Sequence, residues 1–304
     1  MPHASAAGIF GYVSCVPTTQ SPDGETLTYT VTGPAGRAPI LTVHGLASSG
    51  QHWGSFAEHY ARQRPLLTWE FRGHGGHPAP RDPASATVAQ FAEDAHVVWQ
   101  AARLPPVIVA GLSFGVQVAL ELWRRHPATV RALVLICGTA GHPLDRLSSS
   151  ARVRQAAVAL VRGLAGRSWL SRPMLASLRS PRGRRVACEL AYATGGAHRE
   201  ACPQHVLDEL FAHVADLDPR VLTEVVASYL AHDAFDVLPT ITVPTLLITG
   251  DRDQLTPVAT AERMQRAIPH SKLVVFRGHS HLVQVEKPRE VHAAIDAFLA
   301  DHAL

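Results

Sequence analysis

The chain has 304 residues, of which 46% are hydrophobic and 17% charged, and its formal net charge is +3. This composition is typical of a globular protein with a sizeable core and excludes a disordered chain. No apolar run reaches the ~18 residues that a membrane span needs, and the first residues lack a basic segment followed by an apolar one, so neither a membrane helix nor a signal peptide is expected.

The first half of the chain alternates strand-like and helix-like patterns. Strands near residues 12–16 and 27–32 flank the turn Ser21-Pro22-Asp23-Gly24, which predicts a hairpin. Apolar residues at spacings of three and four predict a helix over 88–102, and a second helix follows Ser113 and ends near His126. Four further apolar runs predict core strands at residues 39–43, 66–71, 107–110 and 132–137. The alternation predicts an α/β fold with a mostly parallel, doubly wound sheet.

The pattern changes between residues 139 and 236. This segment is far longer than one crossover between parallel strands requires. Apolar spacing predicts helices around 153–164, 206–214 and 221–230, and strands resume at 243–250 and 272–276. We therefore predict a core formed by residues 1–138 and 237–304, with residues 139–236 inserted as a helical cap.

The strand over 107–110 leads into Gly111-Leu112-Ser113-Phe114-Gly115, after which a helical pattern begins. A Gly-x-Ser-x-Gly sequence between a strand and a helix is typical of a nucleophilic serine held on a sharp turn. Ser113 is expected to have strained backbone angles, and the flanking glycines allow the strand and the helix to pack closely.

A nucleophilic serine needs a base, and the base needs an orienting acid. Asp251 and Asp253 follow the strand over 243–250, and His279 and His281 follow the strand over 272–276. The order Ser, Asp, His is the one found in sheet enzymes of this class. The residues alone leave the choice within each pair open.

With these motifs the chain resembles the α/β-hydrolase fold superfamily, in the form that carries a helical cap. The resemblance extends from about Leu27 to the C-terminus and consists of four motif regions in the expected order. They are His44-Gly45-Leu46, the loop 70–75, the elbow at Ser113, and the pair Asp253…Pro257 and His281…Glu286-Lys287-Pro288.

The resemblance assigns the triad as Ser113, Asp253 and His281. The family's acid lies three residues after the glycine that closes its strand, and its histidine lies five residues before the Glu of Glu-x-Pro. Asp251 is then a turn carboxylate, and His279 a neighbour in the histidine loop.

The resemblance also implies an oxyanion hole formed by the backbone N–H groups of Leu46 and Phe114. His44 is expected to brace the oxyanion turn, with Gly45, Gly111 and Gly115 in support. Three positions depart from the family pattern, since Glu70 replaces an Asp, His77 a Ser and Val116 a Gly.

The expected partner is a small-molecule substrate, with no cofactor and no metal. The close pair His74 and His77 lies on a glycine-rich loop without regular spacing, which does not favour a metal site. Four cysteines without redox or metal spacing favour a reduced, cytoplasmic protein. The sequence does not indicate an oligomeric state.

Residues 146–188 contain ten arginines and no lysine, aspartate or glutamate. Three interpretations stay open: a solvated outer face, recognition of an anionic or carrier-bound substrate, and contact with an anionic membrane surface. The last is the least favoured, and nucleic acid is not expected because aromatic residues are not interleaved with the arginines.

The resemblance therefore implies a serine hydrolase that cleaves a carboxylic ester, lactone or thioester of a small, fairly apolar molecule through an acyl-enzyme on Ser113. A C–C bond hydrolase, a cofactor-free peroxidase-like enzyme and an acyltransferase use the same scaffold and stay as alternatives. A ligand receptor without catalysis is a further alternative. Ser113 excludes the epoxide hydrolases and haloalkane dehalogenases, which carry an Asp at this position.

Overall fold

The computed structural model describes residues 16–143, 151–165 and 168–304. Its strands form one central sheet and are β1 (Thr18–Gln20), β2 (Thr26–Thr32), β3 (Ile40–Val43), β4 (Leu66–Trp69), β5 (Val107–Leu112), β6 (Val130–Ile136), β7 (Thr245–Gly250) and β8 (Lys272–Phe276). Their spatial order is β1-β2-β4-β3-β5-β6-β7-β8. The pairs β1–β2 and β2–β4 are antiparallel, and the others are parallel. The predicted, mostly parallel α/β sheet is confirmed.

The helices cover both faces of the sheet. They are α1 (Gly54–Tyr60), α2 (Val88–Ala102), α3 (Phe114–Arg125), α4 (Ala151–Ala165), α5 (Ser168–Leu178), α6 (Pro181–Ala193), α7 (Gln204–Asp216), α8 (Pro219–Ala231), α9 (Val258–Ala267), α10 (Val283–Glu286) and α11 (Pro288–Asp301). The predicted helix over 88–102 matches α2, whose start is capped by the Thr87 hydroxyl accepting a hydrogen bond from the Gln90 N–H. The sequence reasoning did not predict α1, α5, α6, α9, α10 or α11.

Strand β5 shows why the sheet is covered on both faces. All six of its residues are buried, and alternate side chains point to opposite faces. Val107 and Val109 join a core cluster with α2, α3 and α9. Ile108 and Ala110 join a second cluster with α1 and α11. The doubly wound arrangement follows from this continuous apolar run.

A hairpin is present around the predicted turn, and its first strand in the described residues is β1. Residues 12–15 of the expected strand lie outside the described residues, and β1 begins at Thr18. The turn is as predicted, since the Gly24 N–H donates to the Ser21 oxygen at 2.8 Å. Arg72 ties this hairpin to α2, because its guanidinium donates to Asp23 Oδ2 in the turn at 2.5 Å and to both carboxylate oxygens of Asp94 in α2 at 2.8 and 2.6 Å.

Helices α4 to α8 lie between β6 and β7 in the chain. Leu175, Leu178 and Ala215 pack together as a separate cluster of these helices. Val221 and Val225 of α8 instead join the main core cluster beside the sheet. The division into a core and an inserted cap at 139–236 stays a prediction, and its residues 144–150, 166 and 167 lie outside the described residues.

Membrane-spanning helices are not found in the described ranges 16–143, 151–165 and 168–304. None of the helices there combines the length and the apolar composition needed to cross a bilayer.

Helix α3 lies unusually close to the end of β3. A Cβ built on Gly115 would lie 2.1 Å from the Val43 carbonyl oxygen and 2.7 Å from the His44 carbonyl oxygen. Both atoms belong to the backbone and cannot move aside as a flexible side chain would. Only a glycine fits at this point of contact between helix and sheet.

We therefore expect Gly115→Ala to destabilise the protein by more than about 3 kcal/mol, because the added methyl group forces α3 away from the sheet. Gly163→Ala is the matched control, since a Cβ on this helical glycine of α4 meets nothing within 4 Å. That change is expected to stabilise the helix by about 0.5–1 kcal/mol. Urea unfolding of both variants measures the difference. Equal stability of the two variants would contradict the steric explanation.

Candidate active site

Ser113 occupies a sharp turn between β5 and α3. Its φ of 54° and ψ of −115° lie outside the regions that a serine normally adopts, as the sequence predicts. The turn is held by the Ser113 N–H, which donates to the Ile136 oxygen at 2.8 Å. It is also tight, since a Cβ on Gly111 would lie 2.7 Å from the Gly115 oxygen. These contacts fix the serine at the carboxyl end of β5.

The structure brings Ser113, His281 and Asp253 into one hydrogen-bonded chain. His281 Nε2 lies 2.8 Å from Ser113 Oγ, and His281 Nδ1 lies 2.8 Å from Asp253 Oδ2. A carboxylate can only accept, so Nδ1 carries the proton and Nε2 is free to accept from the serine hydroxyl. The three side chains meet because they follow β5, β7 and β8, whose carboxyl ends lie at one edge of the sheet.

The two alternatives have other partners. Asp251 accepts a hydrogen bond from the Gly278 N–H at 2.6 Å, in an exposed turn. His279 Nδ1 lies 3.2 Å from Glu286 Oε2. Neither residue belongs to the chain of hydrogen bonds that reaches Ser113.

Asp253 is held by a turn of its own. Its Oδ1 accepts from the N–H groups of Leu255 and Thr256, each at 2.8 Å, and its Oδ2 accepts from the Thr256 hydroxyl at 2.7 Å. Burial by itself raises the pKa of Asp253, but the charge and hydrogen bond of His281 and the Thr256 hydrogen bonds outweigh it. The pKa therefore lies below its ordinary value, and Asp253 is a carboxylate at neutral pH. Sequence reasoning missed Thr256, because a threonine in a turn carries no distinguishing signal.

Glu286 fixes the loop that carries His281. Its carboxylate accepts from the backbone N–H groups of Ser280 and His198, each at 2.8 Å. The Ser280 hydroxyl also donates to it. The sequence analysis used Glu286 only to count back to the histidine. Its spacing before Pro288 was the signal for this structural role.

The turn 44–46 runs past the serine. A Cβ on Gly45 would lie 3.7 Å from Ser113 Cβ, and Leu46 lines the same cavity as Ser113. Phe114 is the first residue of α3, so its N–H has no partner within the helix by position. Both predicted oxyanion donors thus lie beside the serine.

His44 lies behind this turn and is buried. Its Nε2 accepts from the Phe71 N–H at 3.3 Å, which places the proton on Nδ1, 3.0 Å from the Gly45 oxygen. Burial lowers the pKa of His44 well below its ordinary value, so the ring is neutral. The ring connects the turn to the loop after β4.

Ser113 and His281 open into a cavity of about 700 Å³. Apolar side chains from the helical segment form one wall, among them Leu207, Leu210 and Phe211. None of the described residues that line it is Asp, Glu, Lys or Arg. The cavity is therefore suited to an uncharged, largely apolar molecule.

Several polar side chains in the cavity wall were not predicted, among them His52 and Gln284. His52 Nδ1 accepts from the Ser49 N–H at 3.0 Å, which leaves the proton on Nε2. Burial and the neighbouring His213 lower the pKa of His52 to about 4, so the ring is a neutral donor. Gln284 is buried, and its Oε1 has no hydrogen-bond partner within the described part of the chain. No motif marks either residue, because their positions depend on how the segments after β3 and β8 fold.

None of the arginines of segment 146–188 whose side chains are described lines the cavity. Those whose exposure is described lie on the surface or are half-buried, as Arg184 is, which pairs with Asp208 at 2.8 Å. Arg146 and Arg167 lie outside the described residues.

The departures from the family pattern have local partners. His77 Nε2 lies 2.7 Å from the Thr28 hydroxyl, and His74 Nδ1 lies 3.2 Å from the Arg72 oxygen. The two histidines of this loop therefore serve separate structural contacts. Val116 lies close to Gly138, since a Cβ built on Gly138 would lie 2.3 Å from Cγ2 of Val116.

Comparison with known proteins places this geometry in a family. Residues 38–288 match the family model described as alpha/beta hydrolase fold. The chain belongs to this family. It is an α/β-hydrolase and thus an enzyme, as the sequence analysis expected.

Relatives of this α/β-hydrolase include a lipase, LipV, from Mycobacterium tuberculosis, which is 29% identical over 86% of this chain and 94% of the relative. A pimeloyl-[acyl-carrier protein] methyl ester esterase from Aromatoleum aromaticum is 27% identical over 86% of this chain and 97% of its own. Among solved structures, an esterase from Exiguobacterium antarcticum shares the fold with a TM-score of 0.76 at 19% identity, covering 94% of this chain and 100% of that one.

Glu70 gives this α/β-hydrolase an unusual buried carboxyl group. Its Oε1 accepts from the Gly50 N–H at 2.9 Å, while its Oε2 lies 3.7 Å from His44 Nε2 and has no hydrogen-bond partner among the described residues. Burial raises the pKa of Glu70 to about 7, and the hydrogen bond from Gly50 only partly opposes this. In the unfolded chain a glutamate titrates near pH 4.5.

The folded state therefore binds one proton more than the unfolded state between about pH 4.5 and pH 7. The free energy of unfolding falls as the pH rises through this window, by about 3 kcal/mol for this group, and is level above it. We expect Glu70→Gln to remove this decline, so that the variant gains stability relative to wild type between pH 5 and pH 8. Urea unfolding at both pH values measures the change. If the difference in free energy of unfolding between wild type and Glu70→Gln is the same at both pH values, the raised pKa of Glu70 is contradicted.

Proposed function

We propose that this α/β-hydrolase is a serine hydrolase that cleaves a carboxylic ester, lactone or thioester through an acyl-enzyme on Ser113. The observation that carries the proposal is the unbroken hydrogen-bonded chain from Ser113 Oγ through His281 to Asp253, with both hydrogen bonds at 2.8 Å. Its serine end opens into the uncharged cavity.

In this proposal His281 Nε2 takes the hydroxyl proton as Ser113 Oγ attacks the substrate's carbonyl carbon. The imidazolium then donates that proton to the leaving alcohol or thiol. A water molecule attacks the acyl-enzyme with His281 again as the base, which releases the acid and restores the serine. Asp253 holds Nδ1–H and stabilises the imidazolium, a role supported by its lowered pKa and by the fixed turn around Thr256.

The negative oxygen of the tetrahedral intermediate is assigned to the N–H groups of Leu46 and Phe114. Support comes from the position of both residues beside Ser113 and from the start of α3 at Phe114, where the helix favours negative charge. One such donor typically contributes about 3–4 kcal/mol to the barrier.

The substrate is a small, fairly apolar molecule. This is supported by the cavity of about 700 Å³ and by the absence of charged side chains among its described lining residues. Any anionic group of the substrate, or a carrier, has to lie outside this cavity. An ester is further supported by the similarity to a lipase and to a methyl ester esterase.

The first test is Ser113→Ala, assayed on 4-nitrophenyl esters of increasing acyl length. Removal of the nucleophile should lower kcat by about 10⁴–10⁶-fold, since catalysis by His281 and Asp253 requires the serine oxygen. A fluorophosphonate should label wild-type protein and not the variant. Turnover at the wild-type rate would disprove the acyl-enzyme. Absence of labelling in folded wild-type protein would favour a non-catalytic receptor.

The second test separates the two carboxylates of one loop. Asp253→Asn should lower kcat by about 10³–10⁴-fold, because an amide can donate to Nδ1 and thereby favours the wrong tautomer of His281. Asp251→Asn is the matched control, since this residue only accepts from the Gly278 N–H in an exposed turn. It should keep kcat close to that of wild type. The reverse order of the two variants would transfer the acid role to Asp251.

A further inference from the structure

A thiol that the proposed mechanism does not use lies next to the triad. The sulfur of Cys137, a nitrogen of His281 and a carboxylate oxygen of Asp253 all lie within 4.8 Å of one another. All three side chains are buried. We propose that they form a binding site for a soft divalent cation such as Zn²⁺ or Cd²⁺, and that the bound ion inhibits the enzyme. The inhibition, though not the binding, rests on the proposed function.

The fold places the thiol at this point. Cys137 directly follows β6, and its N–H donates to the Ile248 oxygen of β7 at 2.8 Å. Strand β6 lies between β5, which leads to Ser113, and β7, which leads to Asp253. The thiol therefore enters the same edge of the sheet as the triad.

The three donors match the ligand preference of zinc. Thiolate, imidazole and carboxylate bind Zn²⁺ at about 2.3, 2.0 and 2.1 Å, in a tetrahedral arrangement. Donor atoms of such a site lie about 3.3–3.7 Å apart, so the sulfur needs to approach by about 1 Å at most. The carboxylate of Asp253, whose Oδ2 lies 2.8 Å from His281 Nδ1, has to move away from that nitrogen by about 0.5 Å or more to admit the ion. Thr256 Oγ1, at 3.3 Å from His281 Nδ1, offers an oxygen for the fourth position. The softness of the thiolate favours Zn²⁺ and Cd²⁺ over Mg²⁺ and Ca²⁺.

The proton and charge balance explains the inhibition. The Cys137 thiol releases one proton to solvent, and Asp253 is already a carboxylate. As the metal binds Nδ1 of His281, the proton on that nitrogen is replaced, and the neutral ring carries its proton on Nε2 instead. One thiolate and one carboxylate then neutralise the divalent ion. Because Nε2–H cannot accept a proton, His281 can no longer act as the base for Ser113.

Zinc titration of ester hydrolysis tests the inhibition. Wild-type enzyme should lose activity with added Zn²⁺ and regain it with EDTA. Each variant is compared with its own metal-free activity. Cys137→Ser should need at least about tenfold more zinc for half-inhibition, as expected when a ligand is lost. Cys188→Ser is the matched control, since this buried thiol lies in a separate cluster, and it should keep the wild-type sensitivity.

Cadmium binding gives a measurement that does not depend on activity. The ultraviolet charge-transfer band of a cadmium–thiolate bond, recorded with CdCl₂, should appear in wild type and in Ser113→Ala. In Cys137→Ser the intensity of this band should fall by the contribution of one thiolate per protein molecule. If Ser113→Ala keeps both its ester hydrolysis and this band, the proposed function fails while the metal site stands.

An unchanged cadmium band in Cys137→Ser would overturn the metal site. Equal zinc sensitivity of Cys137→Ser and wild type, or a wild-type enzyme unaffected by zinc, would overturn inhibition by an ion at this site. Circular dichroism checks the fold of each variant. If Cys137→Ser does not fold, Cys137→Ala replaces it in both measurements with the same expected results.

Discussion

The close approach of α3 to the carboxyl end of β3 is the constraint on which the site depends. At Gly115 the helix backbone lies so near the Val43 and His44 oxygens that a Cβ has no room. The chain can leave β5 and enter a helix this close to the sheet only through a sharp turn, and Ser113 takes the positive φ of that turn. The serine hydroxyl, the first N–H groups of α3 and the turn 44–46 are thereby brought together. One backbone contact thus places both the proposed nucleophile and its proposed oxyanion donors.

Much of this arrangement could be predicted because it depends on local pattern and on sheet geometry. Apolar runs locate the parallel strands, and side chains that follow such strands meet at one edge. The choice between Asp251 and Asp253 could not be made from the residues, since both follow β7, and only the family resemblance pointed to Asp253. The structure shows the physical difference, which is the set of N–H groups of Leu255 and Thr256 that hold one carboxylate inward.

What could not be predicted depends on contacts between distant segments. Cys137 has the sequence signal of an ordinary core residue, and its position beside His281 follows from the order of strands in the sheet. Helices α5 and α6 bury few apolar side chains among their described residues, namely Leu175, Leu178 and Cys188, and α5 also contains Pro173. Strand β1 contains no apolar residue that would mark it in the sequence, and the turn at Ser21 and Gly24 sets its register against β2. His52 and Gln284 line the cavity because of how the segments after β3 and β8 fold, which no local pattern predicts.

The uncharged cavity has a consequence for the reaction cycle of the proposed hydrolase. A neutral ester loses little solvation when it enters an apolar cavity, whereas a carboxylate ion there lacks both water and a cation. Hydrolysis converts the neutral ester into the carboxylate ion. Because no described lining residue is Arg or Lys, the acid product is destabilised where it forms and is favoured to leave for water. The negative charge of Asp253 acts in the same direction, since it lies behind His281 and repels the new anion. The lack of Arg and Lys among the described lining residues therefore favours substrate entry and product release together.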